Sequence, residues 1–175
     1  DLAQTAFNQA VGLAKRAESL QQQNQWTQAV ANWRSAIVQV NRIPDGTPYH
    51  DQAQTLAASY SSSLQKAEAQ LQVAVSQQRL QTDLNRICGG SPKICNHLIL
   101  SNSIRIQFTP AYEAALKQAY TTGQAGNYAM LGGAVNHIDS LQSALQAIAN
   151  NAGLPIEVYN AGGTELMGSF NPGGG

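Results

Sequence analysis

Cys88 and Cys95 are the only cysteines in the chain, and they enclose Gly89, Gly90, Ser91, Pro92 and Lys93, residue types that favour a tight reversal. Such a loop brings two Cα atoms within the roughly 4.4–6.8 Å that a disulfide requires. The preferred reading is a disulfide. It closes a loop of about eight residues, restricts the unfolded chain by about 2.5 kcal/mol on the entropy model, and implies an oxidising compartment. The rival is a metal site using Cys88, Cys95 and His97, with His50 or His137 as fourth ligand. Structural zinc favours cysteine pairs about two to four residues apart, and this pair is wider. Two reduced, structurally ordinary cysteines are the third reading.

Acid–base chemistry has fewer supports. His137 and Asp139 are two apart on one helical segment, hence on different faces. His50-Asp51 falls in the first turn of a long helical segment, where the aspartate suits the helix dipole. Glu113 is well placed in a helix's first turn, and Glu157 is expected to pair across a sheet with Arg105. A general base needs an orienting partner in a cleft, and spacing assembles no such trio here, Glu165 included. No serine carries a nucleophile-elbow sequence. Asn160-Ala161-Gly162-Gly163 and Gly132-Gly133 lack the lysine and the strand-to-helix context of a phosphate loop. The first reads as turn chemistry and the second as a close helix approach or a kink. No cofactor or metal is expected.

Composition narrows the partners. The 175 residues carry 10 Lys+Arg against 10 Asp+Glu, a net charge of zero and a pI near 7.0, without the basic footprint that phosphate-backbone binding requires. Nucleic acid is therefore not an expected partner. Charged residues make up 11% of the chain, under half the roughly 25% typical of soluble domains. Glutamine, present 21 times, supplies much of the missing polarity. No stretch reads as a signal peptide or approaches the ~18 apolar residues of a membrane span. The chain does not begin with Met, so it is expected to be a mature or excised piece, compatible with a membrane anchor upstream of Asp1.

The elements that must position these residues change character near Cys88. Before it, Leu2, Ala6, Ala10, Leu13, Ala17 and Leu20 recur at helical spacing over 2–22. Trp26, Ala29, Val30, Trp33, Ala36, Ile37 and Val40 do so over about 26–42, up to the turn Pro44-Asp45-Gly46. A third helix is expected to open with Thr47 as N-cap and Pro48 in its first turn. It runs to about Arg86, on the order of 55 Å at ~1.5 Å per residue. After Cys88, His97–Leu100 and Ile104–Phe108 alternate like strands around Ser101-Asn102-Ser103. Thr109-Pro110 caps a helix over about 110–122, and another spans 128–152. Pro155–Tyr159 and Thr164–Phe170 form a hairpin. The reading is an α+β fold, mainly α: a helical scaffold over 1–87, then a β-β-α-α-β-β domain over 88–171 with an antiparallel sheet, and a flexible tail over 172–175.

Leu13, Ala17, Leu20, Asn24, Trp26, Ala29, Trp33 and Ala36 resemble one degenerate tetratricopeptide repeat. In that family small residues let two helices approach and aromatics fill the groove between repeats. Pro44 lies about one turn later than the family places it. The overall layout also resembles uncharacterised cyanobacterial exported or membrane-anchored proteins, on the Trp/Ala hairpin, the segment Ile87-Cys88 to Ile94-Cys95, Thr109-Pro110-Ala111-Tyr112 and Pro155 to Ala161. This resemblance implies a place outside the cytoplasm (periplasm, thylakoid lumen or cell surface) and a non-catalytic role. The expected function is a protein–protein interaction or assembly module, with a partner or a second copy docking on Leu71 and Val75 of the long helix or on Trp26, Trp33 and Tyr60. The alternative is a ligand-binding or hydrolytic domain with a pocket between the sheet and helix 128–152, converging on His137, Asp139 and Tyr128.

Overall fold

The computed structural model describes residues 2–124, 126 and 128–174, those at 128–131 by their backbone alone. The order is α1 (Leu2–Gln22), α2 (Trp26–Val40), α3 (His50–Cys88), β1 (Cys95–Ile99), β2 (Ile104–Phe108), α4 (Pro110–Gln124), α5 (Tyr128–Ala152), β3 (Ile156–Tyr159) and β4 (Leu166–Phe170). The fold is α+β and mainly α, as the periodicity predicts. The chain forms two compact units, Asp1–Gln77 and Gln78–Gly175. The division falls inside α3, upstream of the compositional change at Cys88, because the last turns of that helix carry Leu80, Leu84, Ile87 and Cys88 into the core of the second unit.

In the first unit, Ala10, Ala14 and Ala17 of α1 and Ala29 and Ala36 of α2 are buried. Small side chains at these positions let the two helix backbones approach closely. Asn24, in the left-handed conformation at φ 57°, ends α1, and the Gln25 N–H returns to the Leu20 carbonyl at 2.9 Å, which satisfies a carbonyl of the last turn. Trp33 and Tyr60 fill the space towards α3, their rings 5.5 Å apart. Ala53, Tyr60 and Ala67 form the buried stripe of α3, flanked by Leu56, Leu64 and Leu71. Thr47 does not cap α3 as expected. Its hydroxyl donates back to the Pro44 carbonyl at 2.9 Å, closing the Pro-Asp-Gly turn, and the helix starts three residues later at His50.

In the second unit the strands lie in the order β1-β2-β3-β4. The outer pairs are antiparallel, whereas β2 and β3 run parallel, Ile104 opposite Ile156 and Ile106 opposite Val158. The sheet is therefore mixed, not wholly antiparallel as the sequence suggested. Alternation fixes which residues face the helices but not the direction of the next strand, and the two helices between β2 and β3 supply the long crossover that parallel pairing needs. Ile104, Ile106, Ile156 and Val158 face a core completed by Leu84, Cys88, Tyr112, Leu141, Leu145, Ile148 and Ala149. Arg105, Gln107, Glu157 and Tyr159 take the alternate positions on the other face.

Candidate functional site

The two cysteines form a disulfide, Cα to Cα 4.5 Å. It joins the last residue of α3 to the first of β1 and removes the zinc and free-thiol readings for this pair. Both residues are buried, and the Ile94 N–H donates to the Cys88 carbonyl at 2.9 Å. The loop between them contains a cis Ser91–Pro92 peptide. Thr109 fastens the same loop to the start of α4: its hydroxyl donates to the Lys93 carbonyl and accepts the Tyr112 N–H at 3.1 Å, the capping bond foreseen from Thr109-Pro110.

The titratable groups are committed to neighbours, not gathered in one cleft. Glu113 accepts the Ala161 N–H at 2.9 Å and so holds the second hairpin's turn to α4. Glu157 stands opposite Arg105 in register but accepts the Tyr159 hydroxyl at 2.9 Å. Arg105 lies over the Tyr159 ring, 4.1 Å from its centroid. The expected Arg105–Glu157 pair is thus relayed through an aromatic ring. His97 Nε2 lies 2.9 Å from the Gln81 amide. His50 lies beside Asp45, Nδ1 to Oδ1 3.3 Å, with geometry that leaves Nδ1 without a hydrogen bond. His137 and Asp139 are exposed, and His137 meets the edge of the Tyr112 ring at 5.6 Å. The Tyr128 side chain lies outside the described residues. Gly132 and Gly133 are exposed, and a Cβ at either would meet nothing within 4 Å, so neither marks a close approach among the described residues. No three His, Cys, Asp or Glu side chains gather as metal ligands among them.

The residues expected to meet a partner divide by burial. Trp33 and Tyr60 are 2% and 7% exposed and belong to the interior, not to an open groove. Trp26 and Leu71 are half-buried against the same core. Val75 is exposed together with Val73, on the stretch of α3 between the residues that enter the two cores. No helix among the described residues is long and apolar enough to cross a membrane.

Two features were foreseen only in part: Thr164–Phe170 as a strand without its exposed apolar edge, and a pocket between the sheet and helix 128–152 with other lining residues. The first is β4, an outer strand whose Leu166 and Met167 are 52% and 56% exposed. The second is a cavity of about 310 Å³ between the sheet, α4 and α5, lined chiefly by Phe108, Tyr112, Leu116, Leu141, Leu145 and Phe170. The Tyr112 hydroxyl is buried and has no hydrogen-bond partner among the described residues. Burial, and then the nearby Tyr120, raises the pKa of this phenol above its ordinary value. The lining is apolar apart from Tyr112, Tyr120 and Gln142, and the site does not converge on His137 and Asp139. Comparison with protein-family models, curated proteins and solved structures finds no match.

Proposed function

We propose that this chain is a non-catalytic assembly module of an extracytoplasmic compartment that pairs with a second copy of itself through β4. The observation that carries this reading is the character of that edge. Natural sheets guard open edges with charge, proline or bulges. β4 has no charged residue within Leu166–Phe170, its first two side chains are apolar and exposed, and its guard is one register shift against β3 at Met167, which leaves Gly168–Phe170 regular. The opposite edge differs, because Lys93 stands just before β1 and bonds Asn96 Oδ1 at 2.7 Å. A two-fold pairing centred on Gly168 sets Leu166 opposite Phe170 and Glu165 opposite Asn171, so no like charges meet. The net charge of zero adds no long-range repulsion between copies.

The buried disulfide supports an oxidising location. The engagement of Glu113, Glu157 and His97 by neighbouring groups supports a structural role for them. The helical hairpin, with its tetratricopeptide-like spacing, serves in this reading as a stiff scaffold. A five-residue strand pair falls well short of the roughly 1,200 Å² buried by stable interfaces, so the dimer is weak and depends on concentration. Sedimentation equilibrium from about 10 µM to about 1 mM, the range in which so small an interface operates, tests it. A monomer–dimer equilibrium is expected, shifted to monomer by Leu166→Lys and unmoved by Val75→Lys. A monomer throughout the range overturns the reading.

A further inference from the structure

We infer that the cavity between the sheet and the α4–α5 pair is a binding site for a neutral, flat, apolar molecule of about two fused rings bearing one hydrogen-bond acceptor. Size sets the first limit. A cavity of about 150 Å³ holds a benzene ring, and this one, at about 310 Å³, has room for two. Its lining sets the second: Phe108, Tyr112, Tyr120 and Phe170 present aromatic surface, Leu116, Leu141 and Leu145 add aliphatic wall, and Gln142 contributes one neutral amide. Aromatic rings favour offset or edge-on contact with other rings, as Phe108 and Tyr112 already show at 5.2 Å.

Charge sets the third limit. Among the described residues no Lys, Arg, Asp, Glu or His lines the cavity, so an ionised ligand would lose its hydration without a counter-charge. Tyr112 sets the fourth. This residue is 6% exposed, it lines the cavity, and its hydroxyl lacks a partner among the described residues. A buried donor left unpaired is costly, and a carbonyl oxygen on the ligand would satisfy it. Entry is by way of Tyr120 and Met167, both lining residues and both exposed.

The probes are 2-acetylnaphthalene, which carries the carbonyl, and naphthalene, which does not. Both are titrated into the full chain, with methyl-labelled leucines observed by NMR. The expected result is saturable binding of the ketone, with shifts at the Leu116, Leu141 and Leu145 methyls and none at Leu13 or Leu20. Tyr112→Phe keeps the ring and removes the donor. It is expected to weaken the ketone by about three- to tenfold, the worth of one hydrogen bond, while leaving naphthalene as tight or tighter. Absence of saturable ketone binding, shifts confined to other leucines, or a ketone affinity untouched by Tyr112→Phe would each overturn the inference.

Discussion

Cys88 and Cys95 tie the end of α3 to the start of β1 with their Cα atoms 4.5 Å apart. Leu84, one turn before Cys88, is fully buried in the same core, so the clamp and the core together hold the last turns of α3 to the first strand. On the chain-entropy model, closing a loop this short contributes about 2–3 kcal/mol. The double variant Cys88→Ser with Cys95→Ser is expected to lose that much in urea unfolding, and the oxidised intact protein is expected to weigh two hydrogens less than the reduced one. A loss under about 1 kcal/mol would mean that other contacts already hold the loop closed.

Thr109 joins three segments with one side chain, accepting from the Tyr112 N–H and donating to the Lys93 carbonyl. Its own N–H donates to the Ile94 carbonyl at 3.0 Å. Thr109→Ala removes a helix cap and takes a donor from the part-buried Lys93 carbonyl, which should cost about 1–2 kcal/mol. Thr109→Ser keeps the hydroxyl and should recover most of the loss. Equal destabilisation by both substitutions would place the effect in the methyl group's packing instead.

How much of this was legible follows from which forces act locally. The helix ends at Gln22 and Ala152, the Thr109 cap and the cysteine pair rest on residues within a few positions of one another, and sequence patterns carry such information well. The direction of β3 and the partner of Arg105 depend on how segments some fifty residues apart are brought together. The dual allegiance of α3 was legible only as an open alternative: the helix is too long for its first hairpin, so its far half needs another partner, and packing decides that Ala67 and Leu84 enter different cores. The lining of the pocket expected between the sheet and helix 128–152 was hidden for a related reason: Phe108, Leu116, Leu141 and Phe170 all read as ordinary apolar core, and periodicity carries no measure of whether the space between them is filled.

Tyr159 is bracketed by opposite charges on the outer face of the sheet. Its hydroxyl donates to Glu157, and that hydrogen bond, more than burial, pushes the phenol's pKa above its ordinary value, while Arg105 over the ring pulls it back. Ultraviolet titration of the intact protein should therefore show Glu157→Gln lowering the pKa of this tyrosine and Arg105→Gln raising it further. Movement in the same direction in both variants would show that the ring does not respond to the two charges separately. Loss of Arg105 should cost little stability, as for an exposed cation–π pair.

Leu84→Ala tests the share of α3 in the second unit's core. Leu84 is 0% exposed, and removing its isobutyl group loses transfer free energy and leaves a void, together about 3–5 kcal/mol. Ala53→Gly, on the part of α3 in the first unit, costs chiefly helix propensity, about 1 kcal/mol. If the two units unfold separately, calorimetry should show Leu84→Ala lowering one transition and Ala53→Gly the other. A single transition lowered by both variants would mean that the continuous helix couples the units in unfolding.

His97 makes the second unit's stability sensitive to mild acid. Its Nε2 lies 2.9 Å from the Gln81 amide nitrogen, an amide donor, so the bond requires Nε2 to be unprotonated. Partial burial, and then the charge of Lys93, lower its pKa from the ordinary 6.5. Between the lowered folded value and 6.5 the unfolded chain binds more protons, so this contribution to stability is fully present above about pH 6.5 and is lost as the pH falls through that window. Melting temperatures measured from pH 7.5 down to pH 5.5 are expected to decline in the wild type. They should stay flatter in His97→Gln, whose side chain does not titrate and retains an amide oxygen for Gln81. Identical pH dependence in the two proteins would assign the acid sensitivity to other groups.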